Sequence, residues 1–237
     1  MEGKSKVVGS GLIASLFKTQ EISGDNVIFA SGVSNSLETE DYKFQREIDL
    51  LLKTAQSFPQ HRMIYFSSIP IIRPETHRYF AHKKKIEDII CEHIDRYIIL
   101  RLPSVVGLAN KNTLLNFLAR ALSEDQDFSI NRTAKRRFIR AIDVAQITRT
   151  ITETNPCNCV LDLCSDSSIA VMDIVYEIAS ALNKKPKKIN FYEAYESLTV
   201  DNTPTKNLLG RSHMLFEPQY NRKCLEYFLM SLRERNK

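Results

Sequence analysis

The sequence lacks a membrane segment where one would first be sought. The apolar run in "MEGKSKVVGSGLIASLF" is too short and too broken by glycine for a span, and no small-residue cleavage site follows it cleanly. A cytoplasmic location with no membrane partner is expected. The chain also lacks a paired cysteine framework. Its five cysteines, Cys91, Cys157, Cys159, Cys164 and Cys224, are odd in number and scattered, so reduced thiols are expected. Three of them cluster in "NPCNCVLDLC", but the spacing is not that of a zinc knuckle and no histidine is near, so no metal is expected. Charge of one sign is scarce as well. A net charge of +5 suits an anionic ligand or an ordinary surface and falls far below that of a nucleic-acid arm. The basic run at 132–140 holds one aromatic, Phe138, and so offers no interleaved stacking platform, which argues against nucleic acid. Repeats and low-complexity linkers are missing too, so no sharp domain boundary is visible.

What is present is 43% hydrophobic residues, enough for a sizeable core, arranged as alternating strands and helices. "KVVGSGLIASLFKTQ" predicts a short strand ending at Val8, a glycine turn, and Leu12, Ile13, Leu16 and Phe17 at helical spacing. "NVIFASG" reads as a second buried strand closed by Gly32. "TEDYKFQREIDLLLKTAQ" predicts a long helix with acidic residues in its opening turn, and its Arg46 and Glu47 read as surface charges. "RMIYFSS" is the third strand, "HKKKIEDIICEHI" the next helix, and "RYIILRLPSVVG" the next strand, halted by Pro103 and Gly107. Nearly continuous apolar strands between helices predict an α/β fold with a parallel sheet covered on both faces. Beyond it the regularity loosens. "NTLLNFLARAL" is amphipathic, "RRFIRAIDVAQITRTITET" runs from a strand into a helix, and "CVLDLC" is a strand. "SIAVMDIVYEIASALNKK" and "NRKCLEYFLMSLRERNK" are helices.

Gly9, Gly11 and Ala14 form G-x-G-x-x-A between a strand and a helix. In that context glycines let the backbone turn sharply and approach a pyrophosphate held at the helix N-terminus; otherwise they serve only packing. The acidic residue that holds an adenosine ribose about 20 positions on has no counterpart in "VIFASG". Tyr79 and Lys83 lie four apart and share a helix face. An ammonium there would lower the phenol pKa toward the range of a general acid/base; the alternative is a solvated basic helix start. Ser67 and Ser68 end the preceding strand, at the edge where parallel sheets bind ligands. They either bond a substrate carbonyl or cap backbone groups. His82, His93 and His213 are isolated and carry no assigned chemistry, and Asp143 reads as a helix brace.

In this order, "VVGSGLIAS", a strand ending in "FASG", "YFSS", Tyr79 with Lys83, and "RLPSVVG" resemble the short-chain dehydrogenase/reductase superfamily. The closer likeness is to its extended branch of nucleotide-sugar epimerases, dehydratases and reductases, and "RRFIRAIDVAQI" and "DNTPTKNLLG" resemble later segments of that branch. The resemblance implies a Rossmann-like parallel sheet with helices on both faces, shortened by two strands at the adenosine side, plus a small C-terminal α/β substrate-binding part. As domains, 1–237 is a single unit, with roughly 1–107 a cofactor-binding core and 108–237 completing the core and binding substrate. NAD or NADP is the implied cofactor, faced by Gly9, Ser10, Gly11, Leu12 and Ile13, by Ala30, Ser31 and Gly32, and by Lys83, Pro103 and Ser104. Tyr79 would be the acid/base, and Lys83 would lower its pKa and contact the nicotinamide ribose. Ser68 would orient the reacting oxygen, with Ser67 the fallback. Two positions depart from the pattern: Val8 stands where the branch has its first glycine and Ala14 where it has its last.

The activity so implied is an NAD(P)-dependent ketosugar reductase or epimerase acting on a nucleotide-linked sugar, in surface-polysaccharide or lipopolysaccharide synthesis. Reduction is preferred because "SSIPI" lacks the acidic pair that the dehydratases place after the serine. Arg132, Arg137 and Arg140 are candidates to hold a diphosphate through bidentate guanidinium contacts, though such a run is commonly a solvated face. A homodimer through the helix of Tyr79 and its neighbour is compatible with this reading. The rival is a non-catalytic nucleotide- or nucleotide-sugar-binding regulatory module on the same fold, motivated by the shortened adenosine side.

Overall fold

The computed structural model describes residues 5–19, 22–69, 78–107, 113–186, 189–193 and 200–235. In chain order the elements begin with β1 (Lys6–Val8), α1 (Leu12–Thr19), β2 (Asn26–Phe29), α2 (Asp41–Ser57), β3 (Arg62–Ser68), α3 (Arg78–His93) and β4 (Tyr97–Leu102). They continue with β5 (Ser104–Val106), α4 (Leu114–Ser123), β6 (Phe128–Asn131), β7 (Lys135–Arg136), β8 (Phe138–Arg140), α5 (Ala141–Glu153) and β9 (Cys159–Asp162). The last are β10 (Ile169–Ala170), α6 (Val171–Ala181), β11 (Ile189–Tyr192), α7 (Thr203–Leu209) and α8 (Tyr220–Arg235).

The chain divides into two compact units. The first is built from residues 1–102, 141–163 and 199–211. Its core is a five-stranded parallel sheet in the order β1-β2-β3-β4-β9. Strands this apolar are stable because helices cover both of their faces. Val27, Phe29, Met63, Tyr65 and Ile99 pack on one face against Ile48 and Leu51 of α2 and Ile86 and Ile90 of α3. Alternate residues point the other way. Phe66 stacks on Phe17 of α1 at 5.7 Å, and α1 packs against α5. The predicted Rossmann-like architecture with helices on both faces is what the chain adopts.

This topology has an unusual consequence. The steps β1–α1–β2 and β2–α2–β3 move the same way across a parallel sheet, yet α1 and α2 lie on opposite faces. Their crossovers therefore have opposite hands, and one of them departs from the right-handed rule. Deleting the two outermost strands from the usual doubly wound order 3-2-1-4-5-6 leaves this arrangement. Among the described residues, β1 is accordingly an edge strand.

At the lower end of the sheet Arg62 is buried, with its guanidinium shared among neutral acceptors. It donates to Asn26 Oδ1 and Asn155 Oδ1 at 2.9 Å, to the Pro156 carbonyl at 2.7 Å and to the Thr152 carbonyl at 3.2 Å. It thereby ties β2 and β3 to the end of α5, where Asn155 takes φ 54°, a left-handed value that asparagine tolerates.

The second unit, residues 103–140, 164–198 and 212–237, holds three two-stranded pairings: β5 with β8, β6 with β11, and β7 with β10. The single predicted strand "RYIILRLPSVVG" is thus two strands in different sheets, because Pro103 lacks the N–H to continue the β4 ladder. Asn221 on α8 braces this unit, accepting from Phe138 N at 2.6 Å and donating to the Ser167 carbonyl at 2.6 Å. None of the described helices is long and apolar enough to cross a membrane.

Candidate active site

The carboxyl ends of β1, β2 and β3 gather most of the residues singled out in the first hundred positions. β1 ends at Val8 and Gly9 turns the chain with φ +130°; a Cβ there would lie 2.3 Å from the Ala30 carbonyl oxygen. Only glycine fits both the backbone angle and the approach of the two strand ends. Gly11, just ahead of α1, is exposed, and a Cβ on it would meet nothing within 4 Å. One residue beyond Ser31, a Cβ on Gly32 would stand 2.5 Å from Lys83 Nζ and 2.7 Å from Glu47 Oε1. Gly9, Ala30, Ser31, Gly32 and Lys83 therefore follow one another along a single edge of the sheet.

Lys83 is not on a solvated helix start. It is 3% exposed, as is His82 at 6%, whereas Lys84 and Lys85 on the opposite side of α3 are exposed. Its ammonium lies 3.0 Å from Glu47 Oε1 and 2.9 Å from the Tyr65 hydroxyl, which in turn donates to Glu47 Oε1 at 2.8 Å. Glu47 Oε2 accepts from Val33 N at 2.7 Å and meets His82 Nε2 at 2.9 Å. The reading of Glu47 as a surface charge is corrected here: it is 0% exposed and has four partners on its carboxylate. Burial alone would push this carboxyl up, but Lys83, the His82 hydrogen bond and Val33 N outweigh it and hold Glu47 well below the usual carboxylate range. Tyr65, fully buried beside that charge, is pushed well above the ordinary tyrosine value.

Tyr79 is partly exposed as a residue, with its phenol set beside Ser68 and Lys83. Lys83 Nζ sits 5.8 Å from the center of its ring. The net effect on the phenol differs from expectation. Burial raises its pKa most, Lys83 pulls it down, Glu47 pushes it up and Ser68 pulls it down, and the sum lies above the ordinary value. Lys83 acts in the predicted direction, but the carboxylate neutralising it and the loss of solvent prevail.

Of the two serines, Ser68 reaches Tyr79. Ser67 points toward the α3 face, is buried, and has no hydrogen-bond partner among the described residues. Farther along α3, Glu87 is taken by Arg101 of β4 in a bidentate pair at 3.0 and 2.7 Å. Leu12 and Ile13 form the first turn of α1 behind exposed Ser10. The "SSIPI" contrast runs into Pro70 and Ile71, which lie outside the described residues.

The remaining predicted residues belong to the second unit and sit on separate elements. Pro103 precedes β5, and Ser104 N donates to the Arg137 carbonyl at 3.2 Å. Arg137 spends its Nε on the Ser165 carbonyl at 3.1 Å, Arg132 lies over the Phe191 ring at 4.9 Å, and Arg140 ends β8.

Sequence reasoning missed Glu47, Tyr65 and His82 as members of this cluster. The signal was present for Glu47, which falls on the same stripe of α2 as Phe44, Ile48 and Leu51.

A glycine turn at β1, hydroxyls at the end of β3 and a tyrosine–lysine pair on the following helix are set on a Rossmann-like fold. Solved structures share it. A UDP-galactose 4-epimerase aligns at TM-score 0.70 and 14% identity over 90% of this chain and 78% of that one. The UDP-glucuronic acid 4-epimerase from Bacillus cereus, in complex with UDP-glucuronic acid and NAD, aligns at TM-score 0.69 and 16% identity over 95% and 79%. RMD from Pseudomonas aeruginosa, complexed with NADPH, aligns at TM-score 0.67 and 12% identity over 89% and 82%. No protein-family model matches the sequence, and no curated protein is significantly similar to it.

Proposed function

We propose that the protein is an NAD(P)-dependent oxidoreductase, a ketosugar reductase or epimerase, acting on a nucleotide-linked sugar. The observation that carries this reading is the Tyr79 phenol beside Ser68 with the Lys83 ammonium 5.8 Å from its ring center. A carbonyl oxygen accepting from the Ser68 hydroxyl would be held beside the phenol. Tyr79 then gives its proton to that oxygen during reduction and takes it back during oxidation. A phenol raised above its ordinary pKa keeps its proton at neutral pH, which favours the donating, reductive direction. The likeness to epimerases and to structures holding NAD or NADPH supports the substrate class and cofactor.

A nicotinamide cofactor, when bound, would supply the hydride in reduction and take it up in oxidation. The chain's residues fit its phosphate and nicotinamide ends: Gly9 to Ile13 leave the α1 N-terminus open for a pyrophosphate, and Lys83 offers an N–H to a ribose hydroxyl. Arg132, Arg137 and Arg140 remain candidates for the substrate diphosphate. Surface-polysaccharide synthesis in the cytoplasm, by a homodimer joined through α2 and α3, completes the proposal.

The edge position of β1 favours a second reading, a nucleotide- or nucleotide-sugar-binding module without redox activity. Calorimetric titration with NADH and NADPH separates the two. Binding of either below millimolar concentration is expected; absence of both at millimolar levels leaves only the binding module.

A further inference from the structure

An ammonium that folding takes out of water is costly unless a charge of opposite sign pairs with it. Lys83, 3% exposed, has one remedy among the described residues: the Glu47 carboxylate at 3.0 Å. The next buried carboxylate on its own helix, Glu87, is spent on Arg101. Tyr65 from β3 and Tyr79 from α3 face the ammonium as neutral phenols, and His82 faces Glu47 rather than Lys83. An ammonium carries three N–H donors. Glu47 and Tyr65 take two of them, so one is left.

We propose that Glu47 is a positioning residue for the reaction, acting through Lys83: it fixes the ammonium against Tyr65 and leaves one N–H for the Tyr79 side of the site. The proposal rests on the assignment of Tyr79 and Lys83 as the acid/base couple. Glu47 is held on its own account by Val33 N and His82, so the carboxylate is the anchor and the lysine the guest. Gly32 belongs to the same device, because a Cβ there would press on Lys83 Nζ and Glu47 Oε1 together.

The test compares Glu47→Gln, Lys83→Met, the double variant and Gly32→Ala. In the free protein the Lys83 Cε resonance, assigned by its loss in Lys83→Met, reports where the ammonium sits. Glu47→Gln should shift and broaden that resonance; an unchanged resonance in a folded variant overturns the proposal. In turnover of UDP-linked hexoses, Glu47→Gln and Lys83→Met should each lose kcat by the same factor, and the double variant should lose no more than either. Losses that multiply would mean that Glu47 does not act through Lys83. Should Glu47→Gln fail to fold, Gly32→Ala carries the test. It alters no charge but displaces two flexible side-chain ends, so it should shift the Lys83 resonance too, and a wild-type resonance and kcat in that variant overturn the proposal. The resonance is read without substrate. Its change together with full turnover of Tyr79→Phe would keep the Glu47–Lys83 link and remove the acid/base assignment.

Discussion

Tyr79→Phe should lower kcat by about 10²- to 10⁴-fold while the protein keeps its fold and its affinity for NAD(P)H. The substitution removes one hydroxyl, beside Ser68, from a ring that is partly exposed, so little packing is lost. The measurement is conversion of UDP-linked hexoses, followed by NAD(P)H absorbance for reduction and by chromatography of the sugar for epimerisation. Full turnover with intact folding would remove Tyr79 from the chemistry. The pH profile of the wild-type protein gives a second check with a defined sign. A phenol held above its ordinary value is protonated at neutral pH, so the reductive direction should be flat around pH 7 and fall only in strong alkali. The oxidative direction, which needs the phenolate, should climb with pH over the same range.

The largest stability effect is expected at the other end of the sheet. Arg62→Ala should destabilise the first unit by about 3–5 kcal/mol, because it strands two side-chain amide oxygens and two backbone carbonyls whose donor is gone. Chemical denaturation followed by circular dichroism reads this directly. The site lies at the carboxyl ends of the strands while Arg62 opens β3, so kcat of the folded fraction should stay near wild type. A loss below about 1 kcal/mol would mean that water replaces the guanidinium at no cost.

The strands and the glycine turn were legible because their information is local. "VIF", "MIYF" and "YIIL" are apolar without interruption, and the G-x-G turn sits where a strand meets a helix. The partners of Glu47 were not legible. A single carboxylate on a helix reads as solvated, and its burial follows from Val33, Tyr65, His82 and Lys83, which arrive from β3, α3 and the segment after β2. Likewise, polarity alone could not rank Ser67 against Ser68. Strand alternation sends one into the helix layer and leaves the other at the rim with Tyr79. The direction of the Tyr79 shift was misjudged for the same reason, since counting Lys83 without Glu47 gives half of a neutral pair.

Being the sheet's margin also gives β1 a distinct place in the life of the molecule. Among the described residues its three residues pair with β2 alone, whereas β2, β3 and β4 are clasped from both sides. Local opening should begin there, with the amides of Val7 and Val8 exchanging with deuterium well before those of Ile64 and Ile99. The glycine turn hangs from that strand, so each such opening would undo the approach of Gly9 to Ala30 while leaving the tyrosine, lysine and glutamate assembled.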